Sequence, residues 1–229
     1  MKQNLVIMFV KEPKVGYVKT RLAKDTGDKF ATDLYKLFVK DLINSLQNYG
    51  GDFKLCAYPK LDIVNKEFGN FNNFLQQDGD LGIKIKATFE EQFDVGYKKI
   101  VLIGSDTPHI TKETIKISFE KLNNHDIVLG PSADGGYYLV AFNKTTFYKE
   151  VFENISWSTD KVLEQTIQKL QGKRVYLLDE LNDIDILDDL KEFYDKYQNS
   201  YFKNSQTIRF LKKNQQFLIL NKKGEKCLL

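Results

Sequence analysis

The strongest constraint on this chain is the stretch Lys99 to Pro108, KIVLIGSDTP, which reads as a buried strand that stops at a carboxylate. Ile100, Val101, Leu102 and Ile103 form a continuous apolar run, the pattern of a central strand covered on both faces. Gly104 and Ser105 leave room beside the backbone, and Pro108 ends the pairing. An acid at the carboxyl end of such a strand lies at the edge where open α/β sheets bind ligands. Asp after a strand is also ordinary turn chemistry, so Asp106 gains meaning only from what the rest of the chain brings to it.

A second buried strand, Leu5 to Val10, runs into KEPKVGYVKTRL, a loop with Pro13 and Gly16 as breakers and Lys11, Lys14, Lys19 and Arg21 as cations. A basic, Gly-containing loop after a strand suits a phosphate, through backbone amides, a bidentate Arg fork and Lys point charges. It matches neither the Rossmann nor the Walker fingerprint, and a solvated loop is the plain alternative. Apolar residues at helical spacing from Phe30 to Leu46 then predict an amphipathic helix ending near Gly50, and Phe53 to Tyr58 alternates as a strand. Strand, helix, strand predicts a parallel βαβ unit.

Further along, Phe74 to Gln76 reads as a short strand and Asp80 as the cap of a helix running to Tyr97. Lys112 to Leu122 reads as another helix, and Asp126 to Gly130 as a strand leading into PSADGGYYLVAF. Asp134, Gly135 and Gly136 before Tyr137 to Val140 are a hairpin signal. The functional alternative is that the glycines admit a ligand while Asp134 or Tyr138 contacts it. Ser158 or Thr159 is placed to cap a helix to Leu170 with Val162, Leu163, Thr166 and Ile167 inward, and Trp157 before it is a core anchor or a stacking surface. Val175 to Leu178 is a further strand. Asp183, Asp185, Asp188 and Asp189 gather before the last clear helix, where acids favour the macrodipole and one could face a site. From Tyr201 the periodicity weakens. We expect a domain over residues 1–200 and an extension over 201–229 in which Ile208 to Leu211 and Phe217 to Leu220 form a hairpin or arm.

Composition narrows the function classes. The 34 Lys and Arg against 31 Asp and Glu leave a net charge of only +3, too balanced to predict a nucleic-acid partner. Cys56 and Cys227 share no metal-type spacing with His109 or His125, and KCLL puts Cys227 outside a prenylation box. No apolar run approaches the roughly 18 residues of a membrane span, so the expectation is a cytoplasmic protein.

Taken in order, KEPKVGYVKTRL, DGDLG, GSDTP, GPSADGGYYLVAF and WST resemble a bacterial glycosyltransferase-like family formerly of unknown function, the rSAM/selenodomain-associated transferase type. The resemblance covers most of residues 4 to 190, and more distantly extends to nucleotidyltransferases for molybdenum-cofactor and phospholactate guanylylation. It implies a Rossmann-like GT-A fold, an α/β architecture with a mostly parallel central sheet and helices on both faces. It also implies a nucleotide partner held with Mg²⁺ or Mn²⁺. Carried over by residue, Lys11, Gly16, Lys19 and Arg21 form the phosphate-facing loop. Asp106 is the metal carboxylate and Asp134 a second catalytic acid, with Gly135, Gly136, Tyr138 and Trp157 on the acceptor side. In DIDILDDL the relatives' Thr and Pro are replaced by Ile186 and Leu187, which leaves the second metal ligand open between Asp185 and Asp134, with Asp185 preferred.

Such a site needs no protein nucleophile, because the metal and cations would offset charge on the departing phosphates. The expected activity is sugar transfer from a nucleotide sugar to a small acceptor. The alternatives are nucleotidyl transfer from a nucleoside triphosphate to a phosphorylated acceptor, or a nucleotide-binding module without turnover.

Overall fold

The computed structural model describes residues 3–219. One seven-stranded sheet runs through them in the order β3-β2-β1-β4-β6-β5-β7. Its strands are β1 (Asn4–Lys11), β2 (Asp52–Tyr58), β3 (Phe74–Leu75), β4 (Lys99–Ile103), β5 (Ile127–Pro131), β6 (Tyr137–Asn143) and β7 (Val175–Leu177). The pairs β3/β2, β2/β1, β1/β4 and β5/β7 are parallel, and β6 lies antiparallel between β4 and β5. The expected α/β architecture is therefore present, with Asp106 beyond the end of a central strand.

Both faces of the sheet are covered, which is why β1 and β4 read as continuous apolar runs. Val6, Met8, Val10, Val101 and Ile103 pack with residues of α2 (Asp28–Leu46), α3 (Leu61–Phe68) and α5 (Lys112–Lys121). Leu5, Ile7, Ile100 and Leu102 face Ile85, Phe89 and Phe93 of α4 (Leu81–Asp94). The α4 cap is as expected: Asp80 Oδ1 accepts the Ile83 N–H at 2.9 Å.

A third apolar layer lies outside α2. Phe30, Ala31, Leu34 and Phe38 meet Leu187, Leu190 and Phe193 of α7 (Leu187–Tyr197), and Ile208 and Leu211 of α8 (Gln206–Lys213). Full burial of a Leu or Phe side chain contributes about 1.5 to 3 kcal/mol, so this layer holds α7 firmly beside the carboxyl edge of the sheet.

Residues 206–213 are thus a helix, not the expected hairpin or arm. Ser205 caps it, its side chain accepting the Ile208 N–H at 3.0 Å. Buried Asp41 on α2 accepts the Gln206 and Thr207 N–H groups at 2.9 and 2.8 Å. A carboxylate at a helix amino end satisfies orphan donors and favours the dipole, a partnership over 160 residues apart that local periodicity does not reveal. Leu220 and Cys227 lie outside the described residues.

Two other local expectations change. Thr20–Thr26 is a short helix, α1, so Arg21 sits in a first helical turn and not in an open loop. The helix after Trp157, α6 (Val162–Lys169), has Lys161 and no side-chain cap at its start, because Ser158 adopts φ 64° and Thr159 donates back to the Ser156 carbonyl. Val162 and Thr166 of α6 are buried as expected, while Ile167 is exposed. Among the described residues no helix is long and apolar enough to cross a membrane.

Candidate active site

The basic loop after β1 is shaped by two backbone conformations. The Tyr17 N–H reaches the Lys14 carbonyl at 3.0 Å, and Gly16 between them has φ 80°, as a type II turn requires at its third residue. Lys19 then adopts φ 49°, ψ 42°, an unusual left-handed conformation for a side chain of this size, immediately before α1. Its side chain is only 3% exposed, and its ammonium lies between two acids: Nζ is 2.5 Å from Asp106 Oδ1 and 2.9 Å from Asp185 Oδ1. Arg21 Nη1 stands 3.6 Å from the other Asp185 oxygen and is 66% exposed. Three segments far apart in sequence meet here, at the carboxyl ends of β1 and β4.

The framework around this cluster is hydrogen-bonded. Buried Tyr35 on α2 accepts the Lys11 N–H at 2.8 Å and lies 3.3 Å from Ser105 Oγ, tying the end of β1 to the end of β4. Thr107 donates a short hydrogen bond to Asp183, and the Ile184 N–H reaches the Asp106 carbonyl at 3.1 Å. The GSDTP and DIDILDDL segments are therefore joined through both side chain and backbone.

The four acids of DIDILDDL divide by role. Asp189 accepts the Asp185 and Ile186 N–H groups, each at 2.9 Å, and Asp188 lies 3.8 Å from Lys191; both serve α7. Asp183 and Asp185 turn to the site.

Charge in the cluster is mutually supported. Burial works against the Lys19 charge, but Asp106 and Asp185 outweigh it and raise the pKa above the ordinary lysine value. Burial likewise opposes ionisation of Asp185, and Lys19 with Arg21 overcomes it, so its carboxyl titrates below the usual range. Asp183 goes the other way: burial, opposed by the Thr107 hydrogen bond and reinforced by Asp106, pushes it up to about 6.

Sequence reasoning named Asp183 in its motif but missed Tyr35, Thr107 and Lys84 as neighbours of the site. Lys84 on α4 is held 3.6 Å from the Tyr58 ring centroid. Burial, then the nearby Lys11 charge, lowers its pKa, which marks a second cluster of cations at the same sheet edge. The DGDLG turn and helix periodicity could have placed Lys84 on a helix, but not beside Lys11.

The Asp134 loop is built differently. It is the β5–β6 hairpin, and Asp134 Oδ1 accepts the Gly136 N–H at 2.9 Å within its own turn. Gly135 has φ 85°, and a Cβ there would lie 2.1 Å from the Asp160 carbonyl oxygen, so this glycine admits the chain's own backbone. Tyr138 is 4% exposed, packs in the core and donates to the Asp179 carbonyl at 3.1 Å. Trp157 is half-buried against Gly82, where a Cβ would meet its Nε1 at 2.6 Å, and meets Tyr137 edge-on at 6.4 Å. Of the acceptor-side group, only Asp134 is coupled to the cluster, through its electrostatic effect on Asp183.

The residues present fit a hard divalent cation. Asp106 and Asp185 have part-exposed side chains and offer only oxygen donors, with Asp183 beside them. Among the described residues no group of three or more His, Cys, Asp or Glu is arranged to hold a metal by itself. Mg²⁺ characteristically takes one or two carboxylates and completes its shell with phosphate and water oxygens, so the pair suits a cation that arrives with a phosphorylated ligand. A separate recess of about 270 Å³, lined by Asn4, Tyr49, Phe119 and Glu120 among others, lies at the opposite, amino ends of β1 and β4 and takes no part in this cluster.

Comparison with known proteins agrees with this reading of the fold. The 2-phospho-L-lactate guanylyltransferase of Methanocaldococcus jannaschii is 27% identical over 195 residues, 83% of each chain. A crystal structure from Desulfovibrio desulfuricans G20, assigned as a nucleotide-diphospho-sugar transferase, is 34% identical, with TM-score 0.91, covering 95% of this chain and 97% of that one. Rv0371c from Mycobacterium tuberculosis, solved in complex with manganese, shares the fold at 15% identity and TM-score 0.53, over 83% of this chain and 97% of its own. The family model described as an uncharacterized protein conserved in bacteria, DUF2064, matches residues 43–159, which include Asp106 and Asp134. By these matches the chain belongs to the DUF2064 family, within the nucleotide-diphospho-sugar transferase superfamily.

Proposed function

We propose that this protein is a metal-dependent nucleotidyltransferase that joins a nucleoside triphosphate to a small phosphorylated acceptor. The observation that carries this reading is the gathering of Lys19 and Arg21 with Asp106 and Asp185 at the carboxyl edge of the sheet. The guanylyltransferase relative, which spans 83% of both chains, supports nucleotidyl transfer ahead of the sugar transfer expected from the motifs.

In the proposed reaction an acceptor phosphate oxygen attacks the α-phosphorus. A new P–O bond forms, the bond from the α-phosphorus to the bridging oxygen breaks, and pyrophosphate leaves with that oxygen's electron pair. Asp106 and Asp185 would hold a Mg²⁺ or Mn²⁺ ion, which supplies Lewis-acid stabilisation of charge on the phosphates. Arg21 is exposed enough to fork onto phosphate oxygens, and Lys11 with Lys84 adds positive charge at the same edge. Thr107 and Asp183 hold the Asp106 segment against the Asp185 segment, so the two carboxylates meet the ligand as a preset pair. Asp134 is assigned to the acceptor side.

The test is product identity. The purified chain is incubated with each of GTP, ATP, CTP and UTP, MgCl₂ and phosphorylated hydroxy acids including 2-phospho-L-lactate, and pyrophosphate is measured. Acceptor-dependent pyrophosphate release is expected. Release of a nucleoside diphosphate from a nucleotide sugar would instead favour sugar transfer, the reading supported by the Desulfovibrio structure's assignment. Neither product with any donor would return the protein to a binding module.

A further inference from the structure

We propose that Lys19 is a built-in counter-ion that closes the Asp106–Asp185 pair to a free divalent cation, so that metal enters only together with nucleotide phosphates. This inference rests on reading Asp106 and Asp185 as the metal carboxylates. A phosphate-loop lysine is expected to extend toward the ligand. Here the Lys19 side chain is 3% exposed, folded inward by its left-handed backbone, and placed 2.5 and 2.9 Å from one oxygen of each acid. The Phe38 ring, 5.8 Å from Nζ, lies within the apolar packing of α2 behind it.

One ammonium thus occupies the ground between the two carboxylates that a bridging cation would use. A divalent ion entering alone would meet a fixed positive charge and share oxygens already engaged, in a part-buried setting where charges interact more strongly than in water. A triphosphate changes both conditions. Its negative charge offsets the added cation, its oxygens complete the metal's shell, and it offers Lys19 a new anionic partner. The same ammonium keeps two half-buried acids from repelling one another while the site is empty. Ligand entry is therefore ordered by charge.

The experiment is Mn²⁺ titration, followed by electron paramagnetic resonance of the free ion, of the full chain alone and with GTP, ATP, CTP or UTP in turn, corrected for Mn²⁺ bound by nucleotide in buffer. Wild-type protein alone should bind Mn²⁺ weakly and bind it strongly with an accepted nucleotide. Lys19→Met should bind Mn²⁺ without nucleotide roughly tenfold or more tightly than wild type, a modest figure for one unit charge removed beside a part-buried pair. Its melting temperature should rise with Mn²⁺ more than that of wild type. Lys19→Gln, a shorter neutral side chain that keeps hydrogen-bond donors, should behave like Lys19→Met and serves where the Met variant fails to fold. Wild-type protein that binds Mn²⁺ alone as tightly as these variants, or variants no tighter than wild type, would overturn the counter-ion role and leave the transferase reading standing. No protein-bound Mn²⁺ in any chain, with or without nucleotide, would overturn the metal-site reading and the inference with it.

Discussion

Two loops at the carboxyl edge of this sheet carry the same kinds of residue, yet they are spent differently. In the loop after β1, glycine and basic residues bring Lys19 to Asp106 and Asp185, and the contacts run between segments as much as 166 residues apart. In the β5–β6 hairpin, Asp134 bonds to Gly136 two residues on, and Gly135 makes room for the backbone of Asp160. A glycine beside an acid is therefore no evidence of a ligand until it is known whose atoms fill the space. The first loop assembles a charge cluster from distant parts, and the second mostly satisfies itself.

The sharpest way to break this contrast is at Asp106. Asp106→Ala is expected to lower transfer by roughly 1,000-fold, about 4 kcal/mol, with the fold retained by circular dichroism. Transfer within a few-fold of wild type would remove Asp106 from the site. On the other loop the largest effect should be on stability. Gly135→Ala forces a side chain into a positive-φ position and onto the Asp160 backbone, and should cost about 3 kcal/mol in urea unfolding. A neutral result would mean that the hairpin yields easily and that Gly135 serves something other than packing.

The assembled side is propped by His109, which is 3% exposed against Phe193 and Tyr197 of α7. Burial, with Lys196 adding to it, pushes its imidazole down to about 4 from an ordinary value near 6.5. The folded state thus prefers the neutral ring and binds fewer protons than the unfolded chain between these values. Stability from this group is present above about pH 6.5 and lost as pH falls toward 4, by about 2 to 3 kcal/mol at the lower end. His109→Phe should remove that portion of the acid loss, measured as urea midpoints across the window. An unchanged profile would place the acid sensitivity elsewhere.

Smaller effects separate the contributions further. Arg21→Ala should weaken triphosphate binding by about 1.5 kcal/mol, the low end for a charge-assisted contact because the side chain is well exposed. A change of a few tenths would make Arg21 a surface charge. Asp134→Asn keeps the oxygen that accepts the Gly136 N–H and removes the charge, so stability should move by less than about 0.5 kcal/mol. Transfer should fall less than in Asp106→Ala, and an equal fall would place both loops in one catalytic unit.

Much of the frame was legible in the sequence. Continuous apolar runs at β1 and β4 predicted a sheet covered on both sides, because only strands buried on both faces can leave out polar residues. The capping of α4 by Asp80 was equally visible, since it needs only a side-chain oxygen three residues before a helical N–H. Residue chemistry marked Lys19, Arg21, Asp106 and the DIDILDDL acids as candidates, and the family resemblance was what gave them phosphate and metal roles. What was illegible depended on distant partners. The Asp41 contact that docks α8, the link from Thr107 to Asp183, and the approach of Lys84 to Lys11 have no local signature.

By itself, then, the sequence determined the alternation of strands and helices, the carboxylate at the end of the central strand and the supply of cations near it. These follow from local periodicity and from the demand that apolar faces be buried. Only the tertiary structure decided that Asp188 and Asp189 serve a helix while Asp185 pairs with Lys19 and Asp183 with Thr107, and that Tyr138 belongs to the core. It also decided that Lys19 points inward. Long-range packing sets where each side chain lies, and burial then sets which charges must be paired, so the same residue types become structure in one loop and a candidate active site in the other.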